Sequence, residues 1–348
     1  MVPLKIAQIA PLFESVPPKL YGGTERVVSY LTEELVRQGH DVTLYASGDS
    51  LTQARLIPPC PSALRLDDKT VDHLSRHILM VEWLRQRAED YDVVHSHIDY
   101  LPFSIYRRFP RPVLSTLHGR LDLPELQDIF NEFSDASVVS ISMSQRTPLP
   151  QARWFGNVYH GLPHDLYSFH PQPAGYLAFL GRISPEKRVD VAIEIAVAAG
   201  IPLKIAAKVD KVDAAYFDSV VKPLLKHPLV EFIGEIGDKD KNAFLGNALA
   251  LLFPIDWPEP FGLVMIEAMA CGTPVIATRR GSVSEIMEDG ITGFICETVT
   301  EAVTALKRLE DFDRQLCRQA FEQRFTSNVM ANNYLKLYQE LIATGPKP

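Results

Sequence analysis

Apolar residues along this chain alternate between two rhythms. Short runs of strand length, LKIAQIA (4–10), DVTLYAS (41–47), DVVHSH (92–97), PVLSTLH (112–118) and SVVSIS (137–142), are separated by stretches with helical spacing. In TERVVSYLTEELVRQ (24–38) the apolar positions 27, 28, 31 and 35 share one helix face, and Gly39 follows as a C-terminal cap. The rhythm restarts with YLAFLG (176–181), a helix over 189–199, Gly200, and PLKIAAK (202–208). It continues through VEFIGE (230–235), LALLFPI (249–255) and TPVIAT (273–278). Strands alternating with helices predict parallel sheets with crossover helices. The strand–loop–helix–Gly–strand unit opens twice, which predicts an α/β protein of two Rossmann-like, doubly wound domains. Their expected limits are 1–165 and 166–325, with the linker in the Pro-rich PHDLYSFHPQPAG (163–175). A helix over about 326–345 is expected to pack back on the first domain. Residues 50–75, with Pro58, Pro59 and Pro61, yield no element.

Composition narrows the partners. The chain has 348 residues, 46% hydrophobic and 22% charged, with a net charge of −8 spread evenly along it. That balance argues against nucleic acid as a partner. Cys60, Cys271, Cys296 and Cys317 form no CxxC pair or zinc spacing and fit a reducing compartment. The N-terminus runs straight into a strand pattern and no apolar run has the length to span a bilayer, so a cytoplasmic location is expected. Arg107, Arg108 and Arg111 beside Phe103, Tyr106 and Phe109 form a small basic–aromatic patch, which leaves room for peripheral contact with the inner membrane face.

At DWPEPFGLVMIEAMACGTPV (256–275) the pattern contains an anomaly. A helix from near Phe261-Gly262 to Cys271-Gly272 is apolar on nearly every face, hence buried, yet Glu267 sits in its middle. A buried carboxylate is costly unless paired or hydrogen-bonded. Its partner is either a structural Arg or a ligand with vicinal hydroxyls. Glu259, between Pro258 and Pro260 at the helix mouth, is either a charge on the helix dipole or a ligand contact. The free amides of Phe261, Gly262 and Leu263 would face the same place.

GRISPEK (181–187) follows a strand and opens a helix, with Ser184, Pro185 and Glu186 as N-cap, N1 and N2. Arg182 and Lys187 then lie beside a helix N-terminus, an arrangement suited to phosphate. Gly22-Gly23 at the first helix start is either a plain turn or a place where backbone approaches a ligand. His95 and His97 end one strand and His118 another. No third ligand at fixed spacing accompanies the His-x-His, so hydrogen bonding in a cleft, and no metal, is expected. Asp238-Lys239-Asp240 reads as a solvated loop.

Together these residues resemble the retaining glycosyltransferases of family 4, over nearly the whole chain. The most specific element is Glu259-Pro-Phe-Gly-Leu-Val-Met-Ile-Glu267, joined by Gly22-Gly23, Leu117-His118-Gly119, Gly181-Arg182 with Lys187, and Gly290-Ile-Thr-Gly293-Phe294. The resemblance implies the GT-B architecture, two Rossmann-like domains facing across a cleft. It implies a UDP- or GDP-sugar as substrate, no cofactor, and an acceptor that is a glycan, a lipid-linked sugar or a small molecule. Glu267 would hold the ribose and Arg182 and Lys187 the diphosphate. Glu259 would meet the donor sugar with the Phe261, Gly262 and Leu263 amides, and Glu235 and Ile236 would flank the base. Gly22 and Gly23 would approach the phosphates, and His118 would sit at the reaction centre. Two stretches depart from the family pattern: Lys208-Val209-Asp210 replaces a glycine-containing turn, and His160-Gly161-Leu162-Pro163 replaces Asn-Gly-Val-Asp. A Rossmann oxidoreductase is disfavoured, since neither glycine site has GxGxxG spacing. A nucleotide-sugar-binding protein without turnover is the other alternative.

Overall fold

The computed structural model describes residues 2–19, 22–67 and 69–345. The chain divides into two compact units, one running to Pro163 and resuming at Ser327, the other His164–Thr326. The first is built on β1 (Lys5–Ile9), β2 (Asp41–Tyr45), β3 (Arg55–Ile57), β4 (Val93–Ser96), β5 (Val113–Thr116), β6 (Val138–Ser140) and β7 (Trp154–Asn157). The second uses β8 (Tyr176–Ile183), β9 (Leu203–Val209), β10 (Val230–Gly234), β11 (Ala248–Phe253), β12 (Val275–Ala277) and β13 (Gly293–Ile295). The orders are β3-β2-β1-β4-β5-β6-β7 and β10-β9-β8-β11-β12-β13. All paired neighbours are parallel. Each sheet reverses its winding once, between β1 and β4 and between β8 and β11. In such sheets ligands bind beyond the carboxyl ends of the strands at that reversal.

The helical pattern over 24–38 becomes the Gly23–Arg37 helix. Gly39, at φ 87, ends it: its N–H reaches Val36 O at 2.9 Å and His40 N–H reaches Leu35 O at 3.1 Å. The helix over 189–199 is found as Val189–Ala199, but it does not begin at Ser184. Pro185–Lys187 form a separate 3-10 turn, and Arg188 at φ 53 breaks the backbone before the helix. Lys187 therefore sits on a turn. Asp238-Lys239-Asp240 is the first turn of the Asp238–Gly246 helix and not a solvated loop.

The sequence pattern missed β3, β7, β13, the helices Val299–Lys307 and Arg314–Arg324, and the His73–Gln86 helix. The three strands have only three or four residues each, too few to show a period. The His73–Gln86 helix buries only His77, Met80, Val81 and Leu84, so its apolar face is thin.

The Ser327–Thr344 helix packs on the first unit through Met330, Ala331, Tyr334, Leu335, Tyr338 and Leu341. The basic–aromatic patch is not a surface of mixed character. Phe103 and Phe109 are buried in the first unit's core, while Arg107 bridges Glu132 at 2.8 Å and Asp135 at 2.9 Å. No helix among the described residues is long and apolar enough to cross a membrane.

Candidate functional site

In the second unit the predicted residues gather at the carboxyl ends of β8 and β11, either side of the winding reversal. β8 carries Arg182 and the turn after it carries Lys187. The loop after β11 carries Trp257, Glu259 and Phe261 into the Leu263–Ala270 helix, whose N-cap is Gly262 at φ 79. Lys187 Nζ donates to Glu259 Oε2, and Trp257 Nε1 donates to the same oxygen at 3.0 Å. The ammonium also stands 4.9 Å from the Trp257 ring centroid and 5.8 Å from that of Phe253. An indole face attracts a cation, so the aromatic pair adds to the carboxylate in holding Lys187.

Glu259 is 9% exposed, and its backbone is as constrained as its side chain. Ser282 N–H donates to Glu259 O at 3.0 Å, and Ser282 Oγ donates to Phe261 O at 2.8 Å. Gly281, at φ 53, lies against that backbone so closely that a Cβ there would collide with Glu259 N and O. A side chain at 281 would displace the carboxylate.

Glu267 is 3% exposed. Its Oε1 accepts from Lys241 Nζ at 2.9 Å and from Tyr167 Oη at 3.2 Å. The partner of this carboxylate is thus a lysine, not the arginine that the structural reading required. Arg182 lies 2.5 Å from Glu186 Oε1, 3.7 Å from Asp213 Oδ2 and 4.0 Å from Asp210 Oδ2. Both cations expected at a phosphate are therefore charge-neutralised by carboxylates of this unit. Glu235 and Ile236 follow β10, two places along the sheet from β8; Glu235 is exposed and Ile236 half-buried.

The first unit offers a different chemistry at its carboxyl edge. After β1, Gly22 takes φ 151 and starts the Gly23–Arg37 helix; a Cβ there would stand 2.8 Å from Pro18 Cβ. His97 follows β4 and His118 follows β5. His97 Nδ1 is 2.8 Å from His118 Nε2, and His97 Nε2 is 2.8 Å from Gln8 Oε1. Gln8 Nε2 donates to Tyr338 Oη at 3.3 Å. Tyr338 Oη is 2.7 Å from His95 Nδ1, and His95 Nε2 is 2.7 Å from Thr116 Oγ1, which lies 3.0 Å from Tyr334 Oη. His95 and His97 were expected in a cleft. Both are interior, with every ring nitrogen bonded within the unit, because they alternate with Val94 and Ser96 on a buried strand.

His118 is half-buried and stacks on His160 with centroids 5.3 Å apart. Burial pushes its pKa down to about 3 and holds those of His95, His97 and His160 well below the usual value, so this cluster is neutral. Burial also raises Asp99, whose carboxylate accepts from the His118 backbone, to about 6. Glu25, on the helix that Gly22 opens, is lifted to about 7 by burial and by Glu14 nearby.

Sequence reasoning missed Trp257, Lys241, Tyr167, Gly281, Gln8 and Tyr338. Two of these left a trace. Gln8 is a polar residue inside the apolar run LKIAQIA, and Trp257 stands two residues before Glu259.

Residues 21–159 match the family described as Glycosyltransferase Family 4, and residues 168–323 match Glycosyl transferases group 1. A phosphatidyl-myo-inositol mannosyltransferase of Mycobacterium leprae is 26% identical across 99% of both chains. Among solved structures, sucrose-phosphate synthase from Thermosynechococcus elongatus matches with a TM-score of 0.80 and 19% identity, over 98% of this chain and 100% of that one. HepE of Anabaena, solved in complex with UDP and glucose, matches with a TM-score of 0.72 and 18% identity, over 97% and 100% of the two chains.

Proposed function

Because this chain belongs to the family-4 glycosyltransferases and has the GT-B fold, we propose that it moves a hexose from a nucleoside diphosphate sugar to an acceptor hydroxyl with retention of anomeric configuration. The observation that carries the reading is the Lys187–Glu259 contact at the mouth of an apolar helix, between β8 and β11. A diphosphate sugar satisfies both members at once. Its phosphate oxygens take the ammonium, and its sugar hydroxyls donate to the carboxylate that the ammonium leaves. Arg182 exchanges Glu186 and Asp213 for phosphate in the same way. Glu267 retains Lys241 and Tyr167 as a frame while it accepts from the ribose.

Catalysis on this reading is electrostatic. The departing diphosphate gains negative charge, and Lys187, Arg182 and the first amides of the Leu263–Ala270 helix supply the compensating positive potential. The anomeric carbon gains oxocarbenium character. The acceptor oxygen forms its bond to that carbon on the face from which the phosphate leaves, and its proton passes to the departing phosphate oxygen. Glu259 keeps the sugar oriented while the bond to phosphate breaks.

A mannosyl donor stands first, because relatives matching along nearly the whole chain are named phosphatidyl-myo-inositol mannosyltransferases. The same names favour a lipid-linked acceptor. UDP-glucose stands next, following the HepE complex. The test is release of nucleoside diphosphate from a panel of nucleotide sugars by the full chain, with and without acceptor. Wild type is expected to release UDP or GDP from at least one donor, and K187A and E259A to lose that release. Wild-type rates in both variants would overturn the site assignment.

A further inference from the structure

The basic–aromatic stretch 103–111 takes no part in the charged site, yet it walls a recess at the amino edge of the first unit's sheet. β5, β6 and β7 are parallel neighbours there, with Ser115 paired to Val138 and Val138 to Trp154. The segments leading into these strands therefore end side by side. Arg111 comes just before β5, Asp135 before β6 and Arg153 before β7. With Tyr106, Phe109 and the end of the Ser327–Thr344 helix they line a cavity of about 250 Å³. All of these residues belong to the first unit. His118 lies beyond the far end of β5, a strand's length away.

The recess is cationic, and its three arginines are not equivalent. Arg107 is taken. Its Nε reaches both oxygens of Asp135, at 3.0 and 3.1 Å, and its Nη1 reaches Glu132 at 2.8 Å. The Arg107 guanidinium holds the Asp135 carboxyl below the usual carboxylate range, so this acid is charged and already answered. Arg111 and Arg153 have no ion-pair partner among the described residues. Arg111 donates to Glu89 O and Arg153 to Asp135 O, each at 3.2 Å, one backbone carbonyl apiece. The Asp135 carboxylate acts on Arg153 only from beyond ion-pair distance. Most of the planar fork of donors on each guanidinium is thus unused.

The remaining wall is apolar or hydroxylic. Phe109 and Leu341 are buried, and Tyr106 stands edge-on to Phe109 with ring centroids 5.7 Å apart. Ser115 is buried as well and brings a hydroxyl from β5. The Thr344 hydroxyl is spent on Glu340 O and Leu341 O. A helix C-terminus carries partial negative charge, which repels an anion. The acid group of a ligand must then lie with Arg111 and Arg153, and its apolar part with Leu341.

We propose that this recess binds a small organic phosphate, a phosphomonoester whose charges meet Arg111 and Arg153 and whose planar apolar body lies among Tyr106, Phe109 and Leu341. Two unpaired guanidiniums match the nearly double charge that a phosphomonoester carries at neutral pH, and their forks match its oxygens in pairs. A carboxylate answers only one of them. Inorganic phosphate leaves the aromatic wall wet. The site rests on no assumption about sugar transfer.

The test is titration of the 15N-labelled full chain with phenyl phosphate, followed through backbone amide shifts. The signals of Ser115, Ser137 and Thr344 are expected to move together with a Kd of about 1 mM, the affinity that a ligand of this size attains. Inorganic phosphate and benzoate each lack half of the match and are expected to bind the same amides about tenfold more weakly. R111A and R153A are each expected to weaken phenyl phosphate about tenfold, the loss of a charge-assisted pair, while K187A leaves these shifts unchanged. Shifts confined to the second unit, near Leu263, overturn the site. Benzoate binding as tightly as phenyl phosphate overturns the phosphate assignment, and wild-type affinity in both arginine variants overturns the role of the arginines. Should an arginine variant fold poorly, A136L, which fills the recess without touching a charge, is expected to abolish the shifts. Unchanged binding in A136L overturns the site as well.

Discussion

At the carboxyl edge of the second unit's sheet the residues are charged and paired: Lys187 with Glu259, Arg182 with Glu186, Lys241 with Glu267. At the corresponding edge of the first unit a line of buried residues is neutral, His97, His118 and Gln8, with two tyrosines and a threonine behind them, and the Glu14–Arg65 pair stands apart from it in the loop after β1. The folds are wound alike, so topology does not impose this contrast. Charge pairs suit a site that exchanges partners, since an incoming anion can replace a carboxylate at little net cost. A buried neutral line suits a site that must hold one proton arrangement. Even a carboxylate follows this rule in the first unit, where Glu25 is raised to about 7.

The comparison breaks most visibly at Lys187. K187A is expected to lower turnover of the nucleotide sugar by about 100-fold or more, the scale of a lost charge-stabilising donor; stopped assays of nucleoside diphosphate release measure it. E267A comes next. It leaves the Lys241 ammonium, 14% exposed, without its main partner. Removing one member of a buried pair costs about 3 kcal/mol. Urea unfolding should show that loss, and the E267M/K241M double variant should recover much of it. In the first unit the sensitive variable is pH. Glu25 has a folded pKa above its ordinary value, so it binds more protons folded than unfolded between about pH 4.5 and 7. Its contribution is fully present below that window and is lost as pH rises through it, by on the order of 3 kcal/mol. E25Q should flatten that slope in unfolding measured as a function of pH. The smallest effect is expected from W257F. It keeps a ring under Lys187 and removes the 3.0 Å bond to Glu259, so turnover should fall about fivefold. A W257F loss as large as that of K187A would mean that the indole N–H held on Glu259 matters as much as the Lys187 charge.

The charged site was legible because its parts lie close in sequence. Glu259 and Glu267 share one loop and helix, and Arg182 and Lys187 share one strand and turn. What the sequence concealed were their partners. Lys241 directly follows Asp238-Lys239-Asp240, which read as a solvated loop, and nothing in that pattern hinted that its ammonium reaches Glu267. The neutral line was hidden for a stronger reason. Gln8 and Tyr338 lie 330 residues apart, and no local period connects them. The long strands were legible from alternation, as were the helices near 24–38, 189–199, 261–271 and 326–345, whereas His73–Gln86, Asp238–Gly246, Val299–Lys307 and Arg314–Arg324 were not. β3, β7 and β13 were not, since a three- or four-residue strand is defined by what it pairs with rather than by its own pattern.

The placement of the Ser327–Thr344 helix on the first unit has a consequence for synthesis. A ribosome delivers residues 164–326, a complete unit with its own sheet, before it delivers Tyr334 and Tyr338. The first unit waits for them, with the hydroxyl partners of Thr116 and Gln8 missing until the Ser327–Thr344 helix emerges. Pairings of such high sequence separation form slowly, because a long loop must close before any contact repays it. During that interval the second unit can close on local contacts alone. The histidine line is then completed only after residues 164–326 have emerged, and its assembly reports that elongation has reached Tyr338.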